Sequence, residues 1–504
     1  VITGVLYGCV KSAGNRSFSV LYIICYNQQM TTIKTTTKTL AESPVKYCRI
    51  ILTEDKPSWH RLVETADGHL EYRMGAGKRE EATLRSFRTL VRSIVQAAKL
   101  HQLEHIALHM GPMGCAKLED MGEAWCVRTL AENLSLAQYE FRKYKTQKKE
   151  TKELKEILVC GIDTTVAKQS FATGLTVGEA ANYTRDIANT TGEDMSPSQL
   201  ARAAREAVKD VKVTVKVLDH AAIKREKMGL LDAVGKGAAD RPKLIVMEYW
   251  GAGKLTQKDN KHAPIALIGK GITYDSGGLN VKPSGAMHDM HLDMSGGAAV
   301  IGTMRAIAKL GFKKNVVAVI PAAENAISAD SMRAGDIAVS MSGKTVEIIH
   351  TDAEGRMVLA DAMTYAEKHY SPKVMIDAAT LTGASLVALG QHTSAVMTKD
   401  ADLQGKLVKL GEEMGDLVWP LPLWDEYKQH LKSSRADVAN IAPNFSKWGG
   451  CIEGGTFLSF FAPKNIPWVH IDIAPRMESI PSDKLSKGAT GEPVRLLVKF
   501  VEES

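Results

Sequence analysis

Residues 350–356 read His350-Thr351-Asp352-Ala353-Glu354-Gly355-Arg356, a histidine, two carboxylates two positions apart and an arginine, directly after the apolar run Val346-Glu347-Ile348-Ile349. In an extended segment the side chains at i and i+2 point the same way, so Asp352 and Glu354 can reach one centre together. A second loop, "GKGITYDSGGLNVKPSG" (269–285), holds Lys270 and Asp275 five residues apart, then the pair Gly277-Gly278, then Lys282 seven residues beyond the aspartate. Adjacent glycines let the backbone come close to a ligand. Asp293, in "MHLDMSGGAAV", adds another carboxylate just ahead of a helical stretch.

Converging carboxylates with nothing to neutralise them repel one another and raise each other's pKa values. Divalent cations remove that conflict. Oxygen-rich sites accept Mg²⁺, Mn²⁺ or Zn²⁺, and two metals roughly 3.5–4 Å apart form a recurring hydrolytic device. A lysine can join such a site only as the neutral amine, which an adjacent dication favours by lowering its pKa. The competing reading is an ordinary acidic turn whose carboxylates complement a helix dipole. Spacing alone leaves both open.

Other motifs lead elsewhere. "GAGKLT" (251–256) lacks the earlier glycine of a phosphate-binding loop and runs into polar "QKDNKH", so a surface turn is expected. His288, Asp289 and His291 in "HDMH" read as a solvated segment. No GxSxG elbow and no HExxH pair occurs, which excludes those two routes to hydrolysis.

The elements that must position these loops alternate. "YCRIILTED" has strand character, "EATLRSFRTLVRSIVQAAKL" helical spacing, and "EHIALHM" strand character again. Beyond residue 195 come strands in "VKVTVKVLD", "KLIVMEYW", "APIALIG", "NVVAVIPAA", "TVEIIH" and "KVMIDAATL", with helices in "AAVIGTMRAIAKL" and "GRMVLADAMTYAEKH". The pattern predicts a two-domain α/β protein: a smaller N-terminal α/β domain (45–172), a linker helix (173–194) and a larger C-terminal α/β domain (195–504), which holds the acidic loops, with a central mixed sheet flanked by helices. Ligands of such sheets gather beyond the carboxyl ends of strands, where both acidic loops are expected. After the break at "NTTGED", Ser196, Pro197 and Gln199 predict an N-cap, a first-turn proline and a capping-box partner.

The whole chain has 504 residues, 44% of them hydrophobic, a net charge of +7 and a pI near 8.8. Much of the positive excess lies in "RKYKTQKKETKELKE" (142–156), read as a solvated helix face. The seven cysteines are scattered without a CxxC pair, which argues against a cysteine zinc site and for a reducing compartment. No stretch approaches the roughly 20 apolar residues of a membrane span. "FSVLYIICY" (18–26) has no small-residue cleavage site after it, and Met30 opens a polar segment, so residues 1–44 are expected to be a disordered or non-native extension.

With these motifs in hand, the sequence resembles the leucyl aminopeptidases, cytosolic dinuclear-metal peptidases with the signature NTDAEGR. "GKGITYDSGGLNVKP" resembles their other metal-binding segment, and "DAATLTGA", "WPLPLWDEY", "ADVAN" and "WVHIDIAP…GATGEPVRLLVKF" follow in the same order, from about residue 175 to 504. The resemblance implies that Asp275 and Glu354 bridge two metals, that Asp352 completes one site, and that Lys270 and Asp293 complete the other, more tightly held one. It implies Lys282 and Arg356 as the catalytic pair outside the ligand set, Lys282 polarising the scissile carbonyl and Arg356 holding a bicarbonate general base while a metal-bridging water attacks. The implied cofactors are Zn²⁺ or Mn²⁺, with Mg²⁺ or Co²⁺ as alternatives. The implied substrates are short peptides with a free, leucine-like N-terminus, and the implied setting is a cytoplasmic homohexamer, a dimer of trimers. A DNA-binding role is the minor alternative for this basic chain, and a membrane is not an expected partner. Three departures stand out: His350 replaces the signature's asparagine and is expected to reshape the substrate pocket, Glu453 stands where small or hydroxyl residues are usual, and "NTTGED" lacks the usual proline.

Overall fold

The computed structural model describes residues 31–109, 118, 120–147, 152–253, 263–444 and 448–504. The chain forms two α/β units. The smaller, N-terminal one is a six-stranded sheet in the order Thr32–Thr36, Glu156–Cys160, His105–His109, Cys48–Thr53, Leu70–Gly75, His60–Glu64. All its pairs are parallel except the last, antiparallel one. The extension expected over 1–44 is corrected for its described part: Thr32–Thr36 is an edge strand paired in parallel with Glu156–Cys160. Its Thr-Ile-Lys-Thr-Thr sequence is β-favouring, and the neighbouring strand "EILVC" is wholly buried and offers a free edge. Residues 1–30 lie outside the described residues, as do Lys254 to Thr256 of "GAGKLT".

The larger unit is built on a nine-stranded mixed sheet. Its main path runs Val418–Pro420, Ser394–Thr398, Trp468–Asp472, Val374–Ala379, Ile265–Gly269, Asn315–Asn325, Lys243–Trp250, Thr214–Leu218, while Gly271–Asp275 pairs with the far end of Asn315–Asn325. Ile265–Gly269 is central, parallel to a neighbour on each side, and every one of its residues is buried, as expected for a strand covered on both faces. Helices Ser295–Lys309 and Glu354–Tyr370 cover opposite faces: the first contributes Val300, Ile301 and Met304 to one apolar cluster, the second Met357, Val358 and Met363 to the other.

Helix Thr165–Asn189 ties the two units together. Asn182 Nδ2 donates to Ser135 O at 2.9 Å in the first unit, and Thr184 Oγ1 donates to Ala298 O at 3.1 Å in the second. The next helix begins at Pro197 as the sequence predicts, but the capping box does not form. Asp240 takes over, its carboxylate accepting from Ser196 Oγ at 2.6 Å and Ser198 N at 2.7 Å, because an ionised acceptor is a stronger partner for a helix N-terminus than a hydroxyl.

"TVEIIH" departs from expectation in another way. Only Thr345–Glu347 is a strand, and it belongs to a separate three-stranded sheet with Ile337–Val339 and Val438–Ala439. Ile337–Val339 is largely exposed, so this ribbon lies at the margin of the core. Among the described residues no helix is long and apolar enough to cross a membrane, and Cys48, Cys160 and Cys451 are free thiols.

Candidate metal centre

Lys270 directly follows the central strand Ile265–Gly269, and its backbone is fixed from both sides: its N–H donates to Ala378 O at 3.1 Å, and its carbonyl accepts from Gly297 N at 2.7 Å. Asp275 ends the strand Gly271–Asp275, and Asp293 lies in the 3-10 turn Met290–Met294 that leads into helix Ser295–Lys309. Asp352 sits in the turn after the small sheet, and Glu354 and Arg356 occupy the first turn of helix Glu354–Tyr370. Three segments distant in sequence, 265–275, 290–295 and 352–356, therefore meet at one end of the large sheet.

The carboxylates converge. Asp275, Asp293 and Glu354, all buried, each place an oxygen within 4.8 Å of the others. Lys270 Nζ lies 2.8 Å from Asp293 Oδ1, 2.9 Å from Glu354 Oε1 and 2.8 Å from Thr380 O. Lys282 Nζ lies 2.8 Å from Asp275 Oδ2 and 2.6 Å from Asp352 Oδ1. Asp352 thus stands at the edge of the cluster, linked to it through Lys282, and its side chain is 29% exposed.

Local sequence explains the close approach. Gly277 and Gly278 both have positive φ, +87° and +65°, and a Cβ on Gly277 would lie 2.9 Å from Asp352 Oδ1. At Gly355 a Cβ would fall 2.4 Å from Lys270 Cε, so only glycine lets the helix start against that lysine.

Four carboxylates face two ammonium groups here, leaving a surplus of negative charge where Lys270, Asp275 and Glu354 are each only 2% exposed. Burial first, and then the neighbouring carboxylates, push Asp293 up to about 8 and Glu354 to about 7. Asp352 is pushed up to about 6 by burial and by Asp275. Burial opposes the charge on both lysines, yet Asp293, Glu354 and Asp275 hold Lys270 above its usual range, and Asp275, Glu354 and Asp352 do the same for Lys282. Glu354 Oε2 is buried without a hydrogen-bond partner, a costly state for a carboxylate oxygen unless a cation meets it. Hard oxygen donors, excess negative charge and an orphaned buried oxygen fit divalent cations.

Arg356 lies deeper. Its Nη1 donates to Asn440 O at 2.8 Å, its Nε is buried without a partner, and burial lowers its pKa despite nearby Glu453. Glu453 is itself buried, with Oε1 3.4 Å from His430 Nδ1. The His350 ring is half-buried, and its Nδ1 accepts from Asp352 N at 3.3 Å. In the "HDMH" segment the His288 side chain is 86% exposed, outside the carboxylate cluster.

Sequence reasoning missed the residues that hold the ligands. Asn325 Nδ2 donates to Asp275 Oδ1 at 2.8 Å, where Gly277 N also donates at 2.9 Å. Thr380 Oγ1 donates to Asp293 Oδ1 at 2.8 Å. The available signal was a polar residue closing a buried apolar strand, as in "VVAVIPAAEN" and "VMIDAAT".

Comparison with known proteins places these features. The model of the cytosol aminopeptidase family, catalytic domain, matches residues 182–498, and that of the same family's N-terminal domain matches residues 73–148. A probable cytosol aminopeptidase of Pseudomonas fluorescens (strain Pf0-1) is 41% identical over 433 residues, 85% of this chain and 84% of that protein. One from Herminiimonas arsenicoxydans is 38% identical over 435 residues, 85% of this chain and 83% of that protein. Among solved structures, a mutant tomato leucine aminopeptidase superposes with a TM-score of 0.81 at 26% identity, covering 94% of this chain and 97% of that one. The bottromycin maturation enzyme in complex with Mn superposes with a TM-score of 0.80 at 29% identity, covering 91% and 99%.

Proposed function

The chain belongs to the cytosol aminopeptidase family and is a metallo-aminopeptidase; from that premise we propose that it removes leucine-like residues from the free N-termini of short peptides, with Lys282 and Arg356 as its catalytic pair. The observation that carries the reading is the buried Asp275–Asp293–Glu354 cluster with the unpartnered Glu354 Oε2.

Lys270, Asp275, Asp293, Asp352 and Glu354 would hold two divalent cations, Zn²⁺ or Mn²⁺. Bound there, the cations would supply Lewis acidity and lower the pKa of water towards neutrality. Lys282, an ammonium on the Asp275 and Asp352 side of the cluster, would donate a hydrogen bond to the scissile carbonyl oxygen as negative charge develops on it. Arg356 would hold bicarbonate as the general base through its unpartnered Nε, orienting the proton acceptor without being one. A requirement for a free α-amine beside the acidic cluster selects the chain end and makes the enzyme an exopeptidase. A homohexamer in the cytoplasm completes the proposal, and sedimentation of the purified protein tests the assembly.

The activity is tested by hydrolysis of a leucyl amide with Mn²⁺ or Zn²⁺ added, with and without chelator, beside a panel of other aminoacyl amides. Chelator-sensitive cleavage favouring leucine is expected. Activity indifferent to chelator sinks the metal reading, and an even response across the panel sinks the leucine preference.

A further inference from the structure

Asn440 belongs to neither the ligand set nor the catalytic pair, yet its polar groups bond the segment 347–357 that carries Asp352, Glu354 and Arg356. Its side chain is fully buried. Oδ1 accepts from Ile349 N at 2.8 Å and His350 N at 3.2 Å, and Nδ2 donates to His350 O at 2.7 Å. Its own N–H donates to Glu347 O at 3.0 Å, and its carbonyl accepts from Arg356 Nη1 at 2.8 Å.

The location gives this pattern its meaning. The parallel ladder between Thr345–Glu347 and Val438–Ala439 ends with the pair Glu347 and Ala439. One residue later the backbone must leave the sheet so that Asp352 and Glu354 can turn into the cluster. From there the asparagine side chain replaces the strand, offering an acceptor and a donor to the departing segment. A primary amide presents both at this reach. An aspartate would set a second acceptor against His350 O, and a serine is too short to serve both sides.

We propose that Asn440 is a positioning residue, a side-chain clamp that fixes where residues 349–356 leave the small sheet and so sets the aim of Asp352, Glu354 and Arg356. This rests on the metal-site reading above. The clamp grips the backbone of His350 and not its ring, which explains how a side chain foreign to the family signature can stand next to the ligands without disturbing them.

The test titrates Mn²⁺ alone into metal-free protein by calorimetry, comparing wild type, Asn440→Asp, Asn440→Ser and His350→Asn. Both Asn440 variants are expected to bind Mn²⁺ about 10- to 100-fold more weakly, while His350→Asn stays within about twofold of wild type. In turnover assays kcat of the Asn440 variants falls more than KM changes. Folded Asn440 variants with wild-type Mn²⁺ affinity, even with a lowered melting temperature, overturn the clamp and leave the metal site standing. A wild type that binds no Mn²⁺ overturns the metal reading itself. Should both Asn440 variants fail to fold, hydrogen exchange in metal-free wild type decides: the Ile349 and His350 amides must be protected, and exchange at the rate of open chain overturns the proposal.

Discussion

The two halves of the candidate centre are held in different ways. Lys270 and Asp275 hang from the nine-stranded sheet and Asp293 from the turn that opens a helix packed on it; Ile265–Gly269 is buried on both faces, and Lys270 is bonded through its own N–H and carbonyl. Asp352 follows a marginal ribbon of three short strands whose ladder stops before the site, and Glu354 and Arg356 open the helix that comes directly after it. The first half is rigid because it continues a core. The second is rigid because side chains, Asn440 above all, take over where the ladder ends. Precision in the second half is therefore the more vulnerable to single substitutions.

The sharpest way to break the comparison is Glu354→Gln, which removes the second-half carboxylate that meets Lys270 of the first half. Activity is expected to fall by at least about 10³-fold in a leucyl amide assay, with the two-domain fold intact by circular dichroism. Lys282→Met removes the ammonium that joins Asp275 of one half to Asp352 of the other. It should lower kcat by about 10²- to 10³-fold while Mn²⁺ binding persists, and loss of bound Mn²⁺ would recast Lys282 as a structural tie.

Leu267→Ala addresses the first half alone. Leu267 is fully buried in the central strand, so the cavity should cost about 2–5 kcal/mol of stability in denaturant unfolding. Mn²⁺ affinity of the folded protein should change little, the reverse of the outcome at Asn440.

Titration tests the two halves together. Asp293 is raised to about 8 and Glu354 to about 7 by burial, so in the metal-free protein both retain protons near neutrality. A bound cation must displace those protons, so Mn²⁺ affinity should weaken as pH falls from 8 to 6, by about tenfold per pH unit for each carboxyl that is protonated. Calorimetry at the two pH values measures it, and a flat profile contradicts the ligand assignment. The smallest effect is expected from His350→Asn: an altered preference among aminoacyl amides, by a few-fold or about 1 kcal/mol, with metal content unchanged. Identical kinetics would make the histidine a passive replacement.

Most of the large domain could be read from sequence because its strands are continuous apolar runs and its helices carry a 3.6-residue period. "IALIG", "NVVAVIPAAEN" and "VMIDAA" are strands where expected. The small sheet could not be separated from the large one, since Thr345–Glu347 is only three residues long and its partner Val438–Ala439 lies more than 90 residues away. The helix start at Pro197 was legible but its cap was not, because Asp240 arrives from 42 residues beyond Ser198. Edge strand Thr32–Thr36 looked like part of a polar tail until Glu156–Cys160 gave it a partner.

By itself the sequence determined the chemical inventory: which carboxylates and cations exist, which glycines permit close approach, and which family the ordered motifs resemble. Those are properties of residue types and local spacing. Only the tertiary structure decided that Asp293, from a helix entrance, meets Glu354, from another, within reach of one ion, and that Asp352 comes to the cluster through Lys282. It also decided which polar residues hold the ligands. Asn325 lies outside the ordered motifs, and Thr380 and Asn440 stand inside "DAATLTGA" and "ADVAN" without a sign of what they do; their roles arise from hydrogen bonds that span 50, 87 and 91 residues. Such partners are chosen by packing, which brings together groups that no local pattern links.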